Sequence, residues 1–405
     1  MNAGWTGLLR LSWTYLWSRP LATVLNLMLL SVGIASITLV VLLSEQVEAA
    51  FDRDLKGIDV VVGAKGSPIQ LILSGVFHID VPPGNMALAD VKQLQAQPQV
   101  AQLIPLSLGD SFGGWRIVGT THDYVAHYGA TLAQGTLWSG PMQAVVGAQV
   151  AQRTGLALGQ RFVGTHGLGG SGEAHSQAPF VVSGVLKHCG CVLDRLVLTA
   201  SESVWLLHEK AMAQDEADRK ALQAEREVTM VLIRYRSPLA AVTFPRWVNA
   251  ATSLQAAAPA VEVTRLLRLL GAGTEVLRGF GAVLLAAAGL SVFIALWSAV
   301  RERRSDLAML RMLGAPPRRI AGLLVCEALW LAAMACVAGL LLGHMLTGGV
   351  GLLLDAQRSL AVTAWWWSPA EAAVVAGAVG VAVLAALIPS ASAYHADPGV
   401  LLQSR

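Results

Sequence analysis

The chain has 405 residues, of which 54% are hydrophobic and only 14% charged, against about 25% charged in an ordinary soluble domain. Its mean hydropathy of +0.56 excludes a disordered chain and argues against a wholly soluble enzyme. The net charge of +3 is too small for the basic footprint of a nucleic-acid-binding protein, so no nucleic-acid partner is expected.

The apolar residues sit in blocks, and a bilayer core of about 30 Å takes roughly 20 helical residues to cross. Residues 1–20 come first. Trp5, Leu8, Leu9, Trp13, Leu16 and Trp17 recur every three to four positions, which predicts an amphipathic helix lying on the cytoplasmic leaflet with Trp at the interface. Arg19-Pro20 turns the chain into a first span over 21–43, bounded by Arg19 and Glu45. That run exceeds the ~7–15-residue core of a cleaved signal peptide, and no small-x-small site precedes Glu45.

Residues 44–273 have the composition of a mixed α/β domain outside the cytoplasm. Glu45, Gln46, Glu48, Phe51 and Leu55 continue the first span as a helix, and Val261 to Leu277 returns as another, so two helical stalks flank the domain. Strand-like runs occur at Val60–Val62, Ile117–Gly119, Ala144–Val146, Phe180–Val182, Arg195–Leu198 and Val228–Tyr235, rich in β-branched residues between turn signals. Helices are predicted at Ala89–Gln95 and Glu202–His208, with a charged, solvated helical stretch over His208–Glu227 and a loop over Gly164–Gly172. Lys187-His188-Cys189-Gly190-Cys191 leaves three readings open. These are a local disulfide, a soft-metal site with His188 (or with His166 and His175), and two thiols at a turn. Cys-x-Cys lacks the second pair of a structural zinc site, so no metal is assigned, and His188, Cys189 and Cys191 are the candidates should one bind.

A second span covers 274–300, a cytoplasmic junction 301–318, a third span 319–346, an outer loop 347–370, a fourth span 371–394 and a cytoplasmic tail 395–405. The fold expected is an α-helical membrane protein of four transmembrane helices, one plus three, with the large α/β domain inserted between the first and second. Glu327 and His344 interrupt the third span, and Glu327 is expected to pair inside the bundle rather than to relay protons. Cys326 and Cys336 read as packing residues. Gly339-x-x-x-Gly343, Ala373-x-x-x-Gly377 and Ala376-x-x-x-Gly380 permit close helix approach, within the chain or between two copies. Arg10 and Arg19, the six arginines between Arg301 and Arg319, and Arg405 contrast with a lone Arg358 in the outer loop. The positive-inside rule then places both termini and the junction in the cytoplasm.

No Gly-Lys-Ser/Thr triplet exists, and Gly63-Ala64-Lys65-Gly66 lacks the spacing of a phosphate-binding loop. HExxH is absent as well. The chain is expected to bind no cofactor and to be non-catalytic, so any ATP and magnesium belong to another polypeptide.

The junction carries the most information. From Glu302 to Leu313 the residues order as a short basic helix, with Leu307, Leu310 and Gly314 along one stripe, Gly314 at its end and Pro316-Pro317 opening the next helix. Such a helix can seat in a groove of a cytoplasmic partner. The run Glu302-Arg303-Arg304-x-Asp306-Leu307-Ala308-x-Leu310-Arg311-x-Leu313-Gly314-Ala315 resembles the signature of MacB/FtsX-like ABC transporter permeases. The one-plus-three layout resembles them too, as do Asp54–Pro68, Gly119–Thr121 and Val192–Thr199; Cys189-Gly190-Cys191 departs from the pattern. The resemblance implies a permease subunit of the inner membrane that forms a homodimer or a heterodimer with a related permease and engages a cytoplasmic ABC ATPase. In that reading Glu302, Arg303, Arg304, Asp306, Leu307, Leu310, Arg311, Leu313 and Gly314 couple to the ATPase, while the stalks pass its motion outward. It also implies membrane lipids, and a periplasmic adaptor or lipoprotein, as partners. The cargo class ranges from exported peptides, antibiotics or toxins to extracted lipoproteins and switched cell-wall hydrolases. An envelope scaffold controlling a periplasmic hydrolase is the alternative, and a metal-handling protein a further one.

Overall fold

A computed structural model describes residues 3–167, 178–212, 215–356 and 362–395. His175, Arg358 and Arg405, and most of the loop read at 164–172, lie outside them. The chain forms two compact units, one from Met1–Val47, Leu270–Asp355 and Ala361–Arg405, the other from Glu48–Leu269 with 356–360.

In the first unit an entry helix, Ala3–Leu16, precedes four helices long and apolar enough to cross a membrane. These are Pro20–Leu55, Pro259–Glu302, Pro317–Ala356 and Ala370–His395. Three of them open on proline, whose missing N–H costs nothing in the first turn. Their shared core is built around Leu30, Ile34, Ala288, Val292, Ala328, Ala332, Ala335, Ala378 and Ala382. So many alanines let the backbones approach closely, which matters where lipid removes the hydrophobic drive for helix association. The first spanning helix runs unbroken to Leu55 and the second starts at Pro259. Each therefore extends well beyond the stretch needed for crossing.

The second unit is built on one mixed sheet. Its order is Leu254–Ala257, Val60–Ala64, Met230–Tyr235, Val100–Phe112, Trp115–Thr120, Val197–Ala200, Gln143–Val146, Phe180–Leu186 and Leu132–Gly135. The 13-residue strand Val100–Phe112 joins two lobes. Its first half pairs with Met230–Tyr235 and its second half with Trp115–Thr120, with the register broken between Leu108 and Ser111. One lobe packs Val60, Val62, Val231 and Ile233 against Phe244 and Val248 of the helix Ala240–Ala251. The other packs Ile117, Val146, Phe180, Val182 and Val197. Trp115–Thr120 and Val197–Ala200 are parallel and buried throughout, and the first carries Arg116 among its buried residues. Phe180–Leu186 alternates buried with half-buried residues, the mark of a strand with one face in the core.

The strand read at Arg195–Leu198 starts two residues later, because Val192–Arg195 forms a short 3-10 turn. The run Val228–Tyr235 divides at Thr229, whose hydroxyl accepts from Leu108 N instead of extending the strand. The charged stretch after His208 forms two helices, Ser201–Met212 and Glu216–Ala224.

Candidate functional site

The expected single helix over 302–313 is divided. The second spanning helix ends at Glu302, Arg303 leaves helical geometry, and a new helix runs from Arg304 to Met312. Leu313, Gly314 and Ala315 close it as a Schellman motif. Gly314 N–H donates to Arg311 O, Ala315 N–H donates to Leu310 O, and Gly314 has φ +92°, a conformation that glycine adopts without a Cβ penalty. Pro317 then opens the third spanning helix.

Arg303 marks the break. Its guanidinium turns inward, donating from Nη1 to Glu327 Oε1 at 3.2 Å and from Nη2 to Tyr15 O at 2.8 Å and Ser18 Oγ at 2.6 Å. The cation also lies 4.4 Å from the Tyr15 ring centre. One arginine fork therefore ties the entry helix, the junction and the third spanning helix, a geometry that lysine cannot reproduce. Beside it Glu302 pairs with Arg19. Burial raises the Tyr15 phenol above its ordinary pKa, and the Asp306 charge adds to the rise.

The remaining junction residues divide by face. Leu307 is buried with Leu16, Leu296, Ile320 and Leu324, and Leu310 and Arg311 are half-buried. Asp306 and Gly314 are exposed. Met309, Met312 and Leu313 expose 57%, 71% and 85% of their surface, an apolar patch on an otherwise charged segment. The side chain of Arg304 lies outside the described residues. Two members of the expected coupling set, Arg303 and Leu307, thus hold the helix in place, while Leu313 is presented outward. Met309 and Met312 join it there, and sequence reasoning passed over them as variable positions. Their i, i+3 spacing on the face opposite Leu307 was the available signal.

The small-residue pairs also separate. A Cβ added at Gly339 would meet Ile34 Cβ at 2.7 Å and Ser31 O at 2.9 Å, and one at Gly343 would meet Thr38 Cβ at 2.8 Å. Those two glycines seat the third spanning helix against the first. Ala373 is exposed, and Gly377 has nothing within 4 Å of its Cβ position.

A second polar cluster lies at the other end of the same unit. His344 Nε2 sits 3.3 Å from Glu371 Oε2, and Ser368 N–H donates to Glu371 Oε1 at 3.0 Å. Ser368 Oγ donates to Glu45 Oε1 at 2.6 Å, and Gln46 exchanges two hydrogen bonds with the Thr363 backbone. These bonds hold the loop after the third spanning helix against the first. Sequence reasoning used Glu45 and Glu371 only as span limits; the Glu45 contact crosses more than 300 positions and leaves no local pattern.

In the outer unit Cys189 and Cys191 form a disulfide. Among the described residues no cluster of three or more His, Cys, Asp or Glu is arranged to hold a metal. His166 instead pairs with Asp110 at 3.0 Å, and His188 pairs with Asp194 at 2.9 Å.

Four apolar helices in a one-plus-three arrangement, with a mixed α/β domain between the first and second, define a multispan membrane protein of permease build. Residues 23–243 match the MacB-like periplasmic core domain, and residues 278–398 match the C-terminal region of FtsX-like permeases. The chain belongs to the MacB/FtsX-like family of ABC transporter permeases. Among solved structures it is similar to the periplasmic region of MacB from Actinobacillus actinomycetemcomitans, at 12% identity and a TM-score of 0.35, over 53% of this chain and 95% of that one. It is also similar to the extracellular domain of the ABC-type transporter YknZ from Gram-positive bacteria, at 14% identity and a TM-score of 0.30, over 49% and 98% of the two chains. No curated protein matches the chain. The family assignment rests on the two sequence matches.

Proposed function

We propose that this chain is the non-catalytic permease subunit of an inner-membrane ABC transporter that works by transmitting motion. A separate cytoplasmic ATPase binds nucleotide and docks on the junction helix. Its closing stroke moves that helix, and the two long spanning helices carry the displacement outward to the α/β domain, where cargo already outside the membrane is exported or extracted. The subunit acts as a dimer with itself or a related permease, and both termini lie in the cytoplasm.

The observation that carries this reading is the junction helix. It is fixed on one side by Leu307 and beside its start by the Arg303 fork, and it offers Met309, Met312 and Leu313 on the other. A rigidly seated helix with an uncovered apolar patch is suited to receive force from a partner groove. The test is co-purification with a co-expressed ABC ATPase. Met312→Glu with Leu313→Ser should lower association at least about tenfold, since loss of one or two interface anchors costs more than ~1.4 kcal/mol. The double variant should keep wild-type thermal stability, because both side chains are exposed. Unchanged association would remove the coupling role from this helix.

A further inference from the structure

The turn that closes the strand Phe180–Leu186 carries chemistry that the transport reading does not use. Cys189 and Cys191 are bonded around a single residue, Gly190. Chain-entropy stabilisation by a disulfide grows with the loop it closes, so a bond across one intervening residue is at the bottom of that range. The turn is also held without it. The buried Asp194 carboxylate accepts from Cys189 N–H at 3.0 Å and from Gly190 N–H at 2.7 Å. Gly190 sits at φ +67°, where glycine needs no external restraint. The 3-10 turn that follows is anchored by Val192 N–H donating to the Asp54 carboxylate at 3.2 Å. The sulfur–sulfur bond therefore adds little to a turn that hydrogen bonds already fix.

The surroundings favour attack on one of the two sulfurs. Cys191 is buried at 7% exposure, whereas Cys189 is half-buried and flanked by a glycine with no side chain to shield it. The rim is basic. Lys187 is exposed, the His188 side chain is 77% exposed and held by Asp194, and Arg53 Nη1 lies 4.0 Å from the Gly190 Cβ position. Lys187 and Arg53 raise the local concentration of an incoming thiolate, against the opposing charge of the buried Asp194 carboxylate.

We propose that the Cys189–Cys191 pair is a thiol–disulfide exchange site that accepts two electrons from an external dithiol. A thiolate of the dithiol attacks Cys189 Sγ, the Cys189–Cys191 bond breaks, and Cys191 leaves as a thiolate and is protonated. The second thiol of the partner then attacks the partner's own sulfur in the mixed disulfide and releases Cys189. The dithiol is oxidised to its disulfide, the pair is reduced to two thiols, and two protons move with the two electrons. In the reduced state Cys189 Sγ, 3.5 Å from Asp194 Oδ1, becomes a donor to that carboxylate, so the turn persists in both states.

The experiment uses the full chain in detergent micelles without denaturant, with dithiothreitol as the dithiol and maleimide labelling read by peptide mass. Two labels on the peptide holding Cys189 and Cys191, gained while the protein stays folded, support the proposal. Labelling that appears only after unfolding overturns it. In Cys191→Ser, glutathione disulfide should add one glutathionyl group at Cys189, at least about tenfold faster than it modifies Cys191 in Cys189→Ser. Equal rates would overturn the assignment of Cys189 as the accessible sulfur of the pair. The double serine variant should melt within about 3 °C of wild type, as expected when a small entropic restraint is lost from a chain of this length. A much larger fall would make the bond structural and sink the idea.

Discussion

Arg116 is 4% exposed inside the outer unit, yet its guanidinium is satisfied by backbone alone, donating to Ser74 O at 3.2 Å and Asp80 O at 2.7 Å. Burial brings its pKa down to about 10, which leaves it charged at neutral pH. That fixed charge acts on its neighbour His78. His78 Nε2 lies 2.9 Å from the Tyr124 hydroxyl, while Nδ1 is covered and has no partner among the described residues. Burial first, then Arg116 and Arg195, push the His78 pKa well below its ordinary value. The unfolded chain takes up a proton on this imidazole as pH falls through about 6.5, whereas the folded imidazole stays neutral to more acidic pH. The unfolded state therefore binds more protons in that window, and stability falls as the medium is acidified below about pH 6.5. Thermal unfolding from about pH 7.5 down to 5.5 should show this decline, approaching ~1.4 kcal/mol per pH unit from a single histidine at the acid end. His78→Gln, which keeps a polar contact for Tyr124 without a titrating ring, should flatten the slope. His127, pushed down by burial in the same direction, leaves a residual slope. An identical slope in both proteins would assign the acid sensitivity to other groups.

At the scale of elements, what the chain announces is what repeats locally. The apolar runs mark four helices, and Gly314 with Pro316-Pro317 marks the end of the junction helix, because composition and cap chemistry act within a few residues. The strand Val100–Phe112 is hidden by Pro105 and Gly109, both strand breakers in isolation. Pro105 is tolerated beside Val231 of the neighbouring strand, and Gly109 sits in the register break within the pairing to Trp115–Thr120. The helix break at Arg303 is hidden for a different reason, since its partners Tyr15, Ser18 and Glu327 come from distant parts of the chain. The glycine pairs lie between these cases. Their spacing signals close packing, but only the structure separates Gly339, set against Ile34 and Ser31, from Gly377, set against nothing within 4 Å. Gly339→Leu should therefore destabilise the folded chain in micelles by about 1–3 kcal/mol, the usual cost of overpacking. Gly377→Leu should leave monomer unfolding unchanged, which makes it the suitable substitution for probing contact with a second copy. Equal destabilisation by both would contradict the assignment of Gly339 to the contact with the first spanning helix.

For the whole molecule, the charge distribution favours one sidedness. Six arginines lie between Arg301 and Arg319, and Arg10 and Arg19 share that end through the Arg303 and Arg19–Glu302 ties. At the opposite ends of the third and fourth spanning helices the loop presents Trp365, Trp366 and Trp367 at 84%, 39% and 69% exposure. Aromatic residues of this kind favour a membrane–water interface, and the lysine and arginine excess favours the cytoplasmic one. Indole favours either interface, so the tryptophans place the loop at an interface and the arginines alone choose the side. A single-cysteine labelling experiment tests that choice. In a background without the native cysteines, Met312→Cys on the junction helix and Gln93→Cys, exposed on the helix Leu88–Gln95, are each treated with a membrane-impermeant maleimide in intact spheroplasts. Gln93→Cys should label at once, and Met312→Cys only after permeabilisation. The reverse pattern would invert the protein in the membrane and put the uncovered Met309, Met312 and Leu313 patch out of reach of any cytoplasmic ATPase.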